Sequence, residues 1–202
     1  MRQLGRMVIG AALLAATAVQ AGPLSDVLFR PGAFARTSGV TRYVHARQGA
    51  VTPGGPAEMQ GVLVVTPRSG PSGAALALSE TVGGAERPVA EFPASGGDPV
   101  LLWFLETTVR SMAAVTEGSP FYIRNRLREA LAAADLGPGA GEVTTELRPF
   151  ARDPNRARMG SFGDLVLRIT LDPGQPVPLR ALSADTTAAG GTWRETLTLE
   201  TP

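Results

Sequence analysis

One stretch, Asp98 to Leu136, reads as helix, while everything on either side of it reads as short strands, and this narrows the possible folds more than any motif does. Asp98 is an N-cap and Pro99 suits the first helical position, where a missing N–H costs nothing. At 100° per residue, Leu101, Leu102, Phe104, Leu105, Thr108, Val109, Met112, Ala113, Val115 and Thr116 fill one half of this first helix, and Glu106, Arg110, Ser111 and Glu117 the other. An apolar arc that wide belongs across a sheet, with Leu105 expected at the centre of the contact. Trp103 is the exception, projecting from the polar half beside Arg110, which can pair with Glu106 four residues earlier. It is expected either beneath a loop or the second helix, or partly exposed for a ligand or partner.

At Glu117-Gly118 the helix breaks, with Gly118 the expected left-handed residue, and Ser119-Pro120 caps a second helix that runs to about Leu136. Ile123, Leu127, Ala130, Leu131 and Ala134 form a narrower stripe, as on a surface helix. Arg124 and Arg128 flank it on one side and Arg126 on the other, with Phe121 and Tyr122 in the first turn. These arginines read either as a solvated face with snorkelling stems or as a site for an anionic head group.

Before the helices, strands are predicted over Val40–Gln48, Gly61–Thr66, Ala74–Val82 and Arg87–Phe92, the last two joined at Gly83-Gly84 as a hairpin. The run Val62-Leu63-Val64-Val65, apolar on both sides, reads as a central strand covered on both faces. Leu24, Val27, Leu28 and Phe29 suggest a short docking turn. After the helices come Glu142–Phe150, Phe162–Leu171, Val177–Asp185 and Thr192–Glu200, with Ala151–Gly160 as a polar loop. Clean alternation in this half puts Leu165, Leu167, Ile169 and Leu171 inward and Arg168 and Thr170 outward, the pattern of antiparallel strands with one wet face. The expected fold is α+β: a curved antiparallel β-sheet or half-open barrel of about eight strands, with the helical pair of 98–136 packed on one face.

At the N-terminus, Arg2 and Arg6 precede an apolar run from Met7 to about Ala18, and Val19-Gln20-Ala21 offers small residues for a signal peptidase. Residues 1–21 are therefore expected to be a signal peptide, cleaved near Ala21/Gly22, leaving 22–202 as one domain in the periplasm. The run is too short to span a membrane. With no cysteine, a lipoprotein anchor, disulfides and thiol chemistry are excluded, and the exported form is expected to be soluble.

Without Arg2 and Arg6, 17 basic residues face 18 acidic ones, which argues against a general nucleic-acid binder. All the basic residues are arginine, which excludes Schiff-base, Ser-Lys and P-loop lysine chemistry and fits the codon usage of a GC-rich bacterium. His45 is the lone histidine. Its own strand face offers Tyr43 and Arg47 but no carboxylate, so a structural or exposed role is expected, and no metal or other cofactor. Gly137-Pro138-Gly139-Ala140-Gly141 precedes a strand instead of a helix, and Gly70-Pro71-Ser72-Gly73 lacks the closing glycine of a nucleophile elbow, so both read as turns. A carboxylate-based hydrolase stays open, because such pairs are spaced in three dimensions and not along the chain.

The segments Asp98–Glu106, Ser119–Arg126, Pro149-Phe150 and Asp153–Arg156 together resemble a group of exported, periplasmic proteins of GC-rich proteobacteria, a resemblance that carries no assigned activity. In element order the chain is similar to periplasmic lipoprotein carriers, in which helices lid an open barrel. That likeness implies a non-catalytic binding or carrier protein for an apolar, lipid-like or anionic-headed small molecule, with Trp103, Arg110, Phe121, Tyr122, Arg124 and Arg128 as ligand-binding candidates. The alternative is a cell-envelope interaction or assembly factor in which Trp103 and Phe121 meet a protein partner.

Overall fold

The computed structural model describes residues 24–29, 39–52, 55–70, 73–136 and 141–200; the expected signal peptide lies outside them. The element order is α1 (Leu24–Leu28), β1 (Thr41–Gln48), β2 (Glu58–Gly70), β3 (Gly73–Val82), β4 (Ala85–Pro93), α2 (Pro99–Thr116), α3 (Pro120–Ala132), β5 (Val143–Leu147), a 3-10 segment (Arg156–Asp164), β6 (Val166–Leu171), β7 (Leu179–Asp185), a 3-10 turn (Thr187–Ala189) and β8 (Arg194–Leu199). The eight strands make one antiparallel sheet in the order β4-β3-β2-β1-β8-β7-β6-β5. Two meanders are thus joined at the middle, where β1 pairs with β8, and the sheet stays open because its edges β4 and β5 do not meet.

The helical pair connects these two edges, so it must cross a face of the sheet, and the core forms there. Tyr43, Leu63, Val65, Leu76, Leu78, Ile169, Leu171, Leu182 and Leu197 meet Val100, Leu101, Phe104, Val109 and Met112 of α2 and Ile123, Leu127 and Leu131 of α3 in a single buried cluster. Asp98 caps α2, its Oδ1 accepting from the N–H of Val100 at 2.9 Å and of Leu101 at 3.0 Å. Ser119 caps α3 through the Tyr122 N–H. α1 braces both: the Leu24 N–H donates to the Ala134 carbonyl, and the Asp98 N–H to that of Leu28.

Several expectations need correction. Leu105 is only partly buried; Phe104 holds the central position, because α2 is rotated to bring Trp103, Thr107 and Ser111 toward the sheet as well. β2 is not covered on both faces: Leu63 and Val65 are buried, while Val62 and Val64 on the outer face are half-buried, since α2 and α3 pack on the Leu63 and Val65 face. The left-handed residue ending α2 is Glu117 (φ 52°) and not Gly118. β6 begins at Val166, and the chain before it, Phe162 included, is the 3-10 segment, in which Phe162 packs on Trp193 at 5.1 Å between ring centroids. The β3–β4 hairpin turns at Gly83 (φ 58°) and Gly84 (φ 81°), both positive as a two-residue turn of this hand requires.

Candidate functional site

At the β3–β4 side of the sheet, polar residues occupy inward-facing positions that alternation would assign to the core. Glu80 follows Leu76 and Leu78 on β3, and Glu195 stands between Trp193 and Leu197 before and on β8. His45 follows Tyr43 on β1. All three are about 2% exposed. His45 Nδ1 lies 2.7 Å from Glu80 Oε1, and its Nε2 lies 2.8 Å from Glu195 Oε1. The second oxygen of Glu80 accepts from Arg87 of β4 at 2.6 Å.

Strands two apart in a sheet are separated by about 10 Å, too far for most side chains to touch when the intervening residue is bulky. Gly61 of β2 is the partner of both His45 and Val82, so it lies on this face between His45 and the end of β3. Its missing side chain leaves the path open for the imidazole to lean across β2 to Glu80. A Cβ there would lie 2.6 Å from the Thr81 carbonyl oxygen, so no larger residue fits without moving the strand.

Each ring nitrogen faces a carboxylate oxygen, and an imidazolium satisfies both by donating twice. Burial by itself would lower the pKa of His45, but the hydrogen bonds to Glu195 and Glu80, with their charges, outweigh it and hold the ring above its ordinary 6.5. Glu80 is pushed up by burial, yet the bonds from His45 and Arg87 hold it below its ordinary 4.5. The result is a chain of alternating sign, Arg87–Glu80–His45–Glu195, whose charges cancel. In it His45 offers no free lone pair to a substrate. Among the described residues, no group of three His, Cys, Asp or Glu side chains is arranged to hold a metal.

Trp103 closes this chain from above. Its ring meets the His45 ring edge-on, 5.0 Å between centroids at 81°. Trp103 is half-buried, with its ring on His45 of β1. Around it lie two adjoining hollows that share Glu80, Arg87, Trp103 and Thr107. One, about 520 Å³, runs between α2 and β4 and is walled by Pro88, Val89, Ala90, Phe92 and Leu102, with Glu106 and Arg110 also lining it. The other, about 410 Å³, is lined by His45, Arg47, Met59, Ser111 and Glu195 and opens past Val82 and the exposed Ala85.

Of the residues expected from sequence to bind a ligand, Trp103 and Arg110 meet here; the other four lie elsewhere. Arg110 does pair with Glu106, at 3.1 Å. Arg124 reaches the same carboxylate from α3, at 2.9 Å, and so ties the two helices together. The Tyr122 hydroxyl sits 2.8 Å from each oxygen of Asp153, to one of which it donates, and Arg126 joins the same buried carboxylate at 2.8 Å. This couple fastens α3 to the loop after β5. Arg128 lines a surface hollow of about 580 Å³ with Phe29 and Asn125, and Phe121 is 69% exposed. The arginine group on α3 is therefore largely engaged in fixing helices and does not form a single anion site.

The expectation that His45 has no nearby carboxylate is overturned, because its carboxylates come from β3 and β8 and not from its own strand. The signal was legible in part: Glu80 and Glu195 interrupt otherwise apolar inward rows, and a charge in a core row requires a partner. A comparison with protein-family models finds none that matches this chain, and a comparison with curated proteins finds no relative.

Proposed function

We propose that this is an exported binding protein, in the periplasm, for an amphipathic, lipid-like small molecule, which lies along the cleft between α2 and β4. The observation that carries the reading is the pair of contiguous hollows around Trp103, one with mainly apolar walls and the other ending on buried polar groups. Clefts of a few hundred Å³ with apolar walls and a few converging polar groups suit small ligands. The ion-paired chain beneath Trp103 keeps the floor rigid in the absence of ligand, which lowers the ordering cost of binding. Native mass spectrometry of the protein purified without detergent from the periplasm of expressing cells tests this. A discrete mass increment that disappears in the Phe92→Asp variant is expected; bare protein together with no uptake of added amphiphiles by the intact protein overturns the proposal.

A second reading, a docking factor for an envelope protein, rests on Phe121, exposed in the first turn of α3 and in helical register with Asn125 and Arg128. Co-purification of a stoichiometric protein partner that is lost in Phe121→Ala, without any bound small molecule, would favour it.

A further inference from the structure

The cleft between α2 and β4 carries more positive charge than its carboxylates offset. Glu106 receives two guanidinium groups: Arg110 Nε donates to its Oε1 at 3.1 Å, and Arg124 reaches its Oε2 at 2.9 Å. Glu80 is likewise taken at both ends, by His45 on Oε1 and by Arg87 on Oε2. With the His45 ring charged, the Arg87–Glu80–His45–Glu195 chain sums to zero, and the Arg110–Glu106–Arg124 group is left at plus one. The remaining acids of β4, Glu86 and Glu91, pair with Thr81 and Ala77 on the other face of the sheet from Leu76, Leu78 and Glu80, so neither offsets this surplus in the cleft.

The unspent hydrogen-bonding capacity has the same sign. Both oxygens of each lining carboxylate have accepted, whereas a guanidinium carries several N–H groups, and Arg87 and Arg110 each donate to a single side chain among the described residues. Their side chains are 70% and 76% exposed, so the remaining donors are open to a solute. Each cation is also seated: Glu80 and Glu106 both line the hollow, and by holding Arg87 Nη2 and Arg110 Nε they place one guanidinium on its β4 wall and the other on its α2 wall. An ammonium entering there would meet two cations and no free carboxylate oxygen, and a neutral hydroxyl would leave the surplus charge without a counterion. An anion accepts from both and neutralises the surplus. Beyond the arginines the walls are apolar, and a hollow of about 520 Å³ suits one ligand of drug size, which a single-chain amphiphile matches.

We propose that Arg87 and Arg110 clasp an anionic head group, a carboxylate or a phosphate, on a single-chain amphiphile whose tail lies along Val89, Ala90 and Phe92. This rests on the binding reading above and specifies its head group and the residues that hold it.

Four probes with the same eight-carbon tail test it: octanoate, octyl phosphate, octyl glucoside and octylamine, each below its micelle-forming concentration. Binding is read by calorimetry and by the fluorescence of Trp103 in the Trp193→Phe background, where it is the lone indole. The tighter of the two anions is expected to bind at least about tenfold more strongly than the glucoside or the amine, the worth of one charge-assisted hydrogen bond, and which anion it is identifies the head as carboxylate or phosphate. Arg110→Gln, at an exposed position whose carboxylate keeps Arg124, and Arg87→Gln should each erase most of that preference. Glu106→Gln, which removes a negative charge from the wall, should increase it. The glucoside or the amine binding as tightly as both anions overturns the inference while leaving the binding function standing. A preference unchanged in Arg110→Gln also overturns it, even where Arg87→Gln fails to fold. If none of the four probes binds, the binding reading fails and this inference with it.

Discussion

Replacing His45 by leucine isolates the energetic weight of the buried chain. The substitution removes the one group that contacts both carboxylates. Glu80 retains Arg87, but Glu195, about 2% exposed, is left with no partner on either oxygen. Removing one member of a buried, hydrogen-bonded ion pair costs about 3–5 kcal/mol, because an uncompensated charge stays behind in a poorly polarisable interior. For a domain of this size that lowers the melting temperature by roughly 6–20 °C. The loss should depend on pH, since a protonated carboxyl tolerates burial far better than a carboxylate. Urea denaturation of wild type and His45→Leu at about pH 7 and about pH 4.5 should therefore give a large difference at the first and a much smaller one at the second. Adding Glu195→Gln to His45→Leu should recover part of the stability at neutral pH, because the orphaned charge is then gone. A loss below about 1 kcal/mol at neutral pH, or an equal loss at both, would refute the claim that His45 holds two buried charges in place.

The wild-type protein should lose stability as the pH rises from about 5 to about 8. His45, raised by its carboxylate partners above 6.5, contributes stability that is complete below 6.5 and is lost as pH climbs through its folded pKa. Asp98, pushed up by burial to about 7, acts with the same sign between 3.8 and 7, while the opposite contribution of Glu80, lowered from 4.5, is lost only in more acid solution. Chemical denaturation across this range checks it, and a rise in stability toward pH 8 would contradict the assignments. In the core, Phe104→Ala should cost about 3–5 kcal/mol and Leu105→Ala under about 2, because the first ring is fully enclosed and the second side chain only partly. Equal losses in reversible denaturation would mean that α2 is rotated differently on the sheet.

Much of the architecture follows from local pattern. Proline and capping residues at Asp98-Pro99 and Ser119-Pro120 start both helices where steric and hydrogen-bonding rules place them. Period-2 alternation over Leu167, Ile169 and Leu171 specifies an antiparallel strand with one buried face, and Gly83-Gly84 specifies the tight turn of the β3–β4 hairpin. These are properties of neighbouring residues, so sequence alone determines them. Sequence also determines which chemistries are absent, since cysteine and lysine are missing altogether.

The candidate site is another matter. His45, Glu80 and Glu195 are separated by 35 and 150 positions along the chain from the histidine outward, and what unites them is the strand order β3-β2-β1-β8. That order is set by which meander pairs with which at the middle of the sheet, a long-range choice that no local propensity encodes. The rotation of α2 is likewise decided by how its broad apolar arc packs against the sheet, and a rotation of a few tens of degrees moves Trp103 from open solvent to the roof of a buried ion chain. Glu80 and Glu195 stand in otherwise apolar inward rows, and only the tertiary structure decided that one histidine, reaching past a glycine, would answer both.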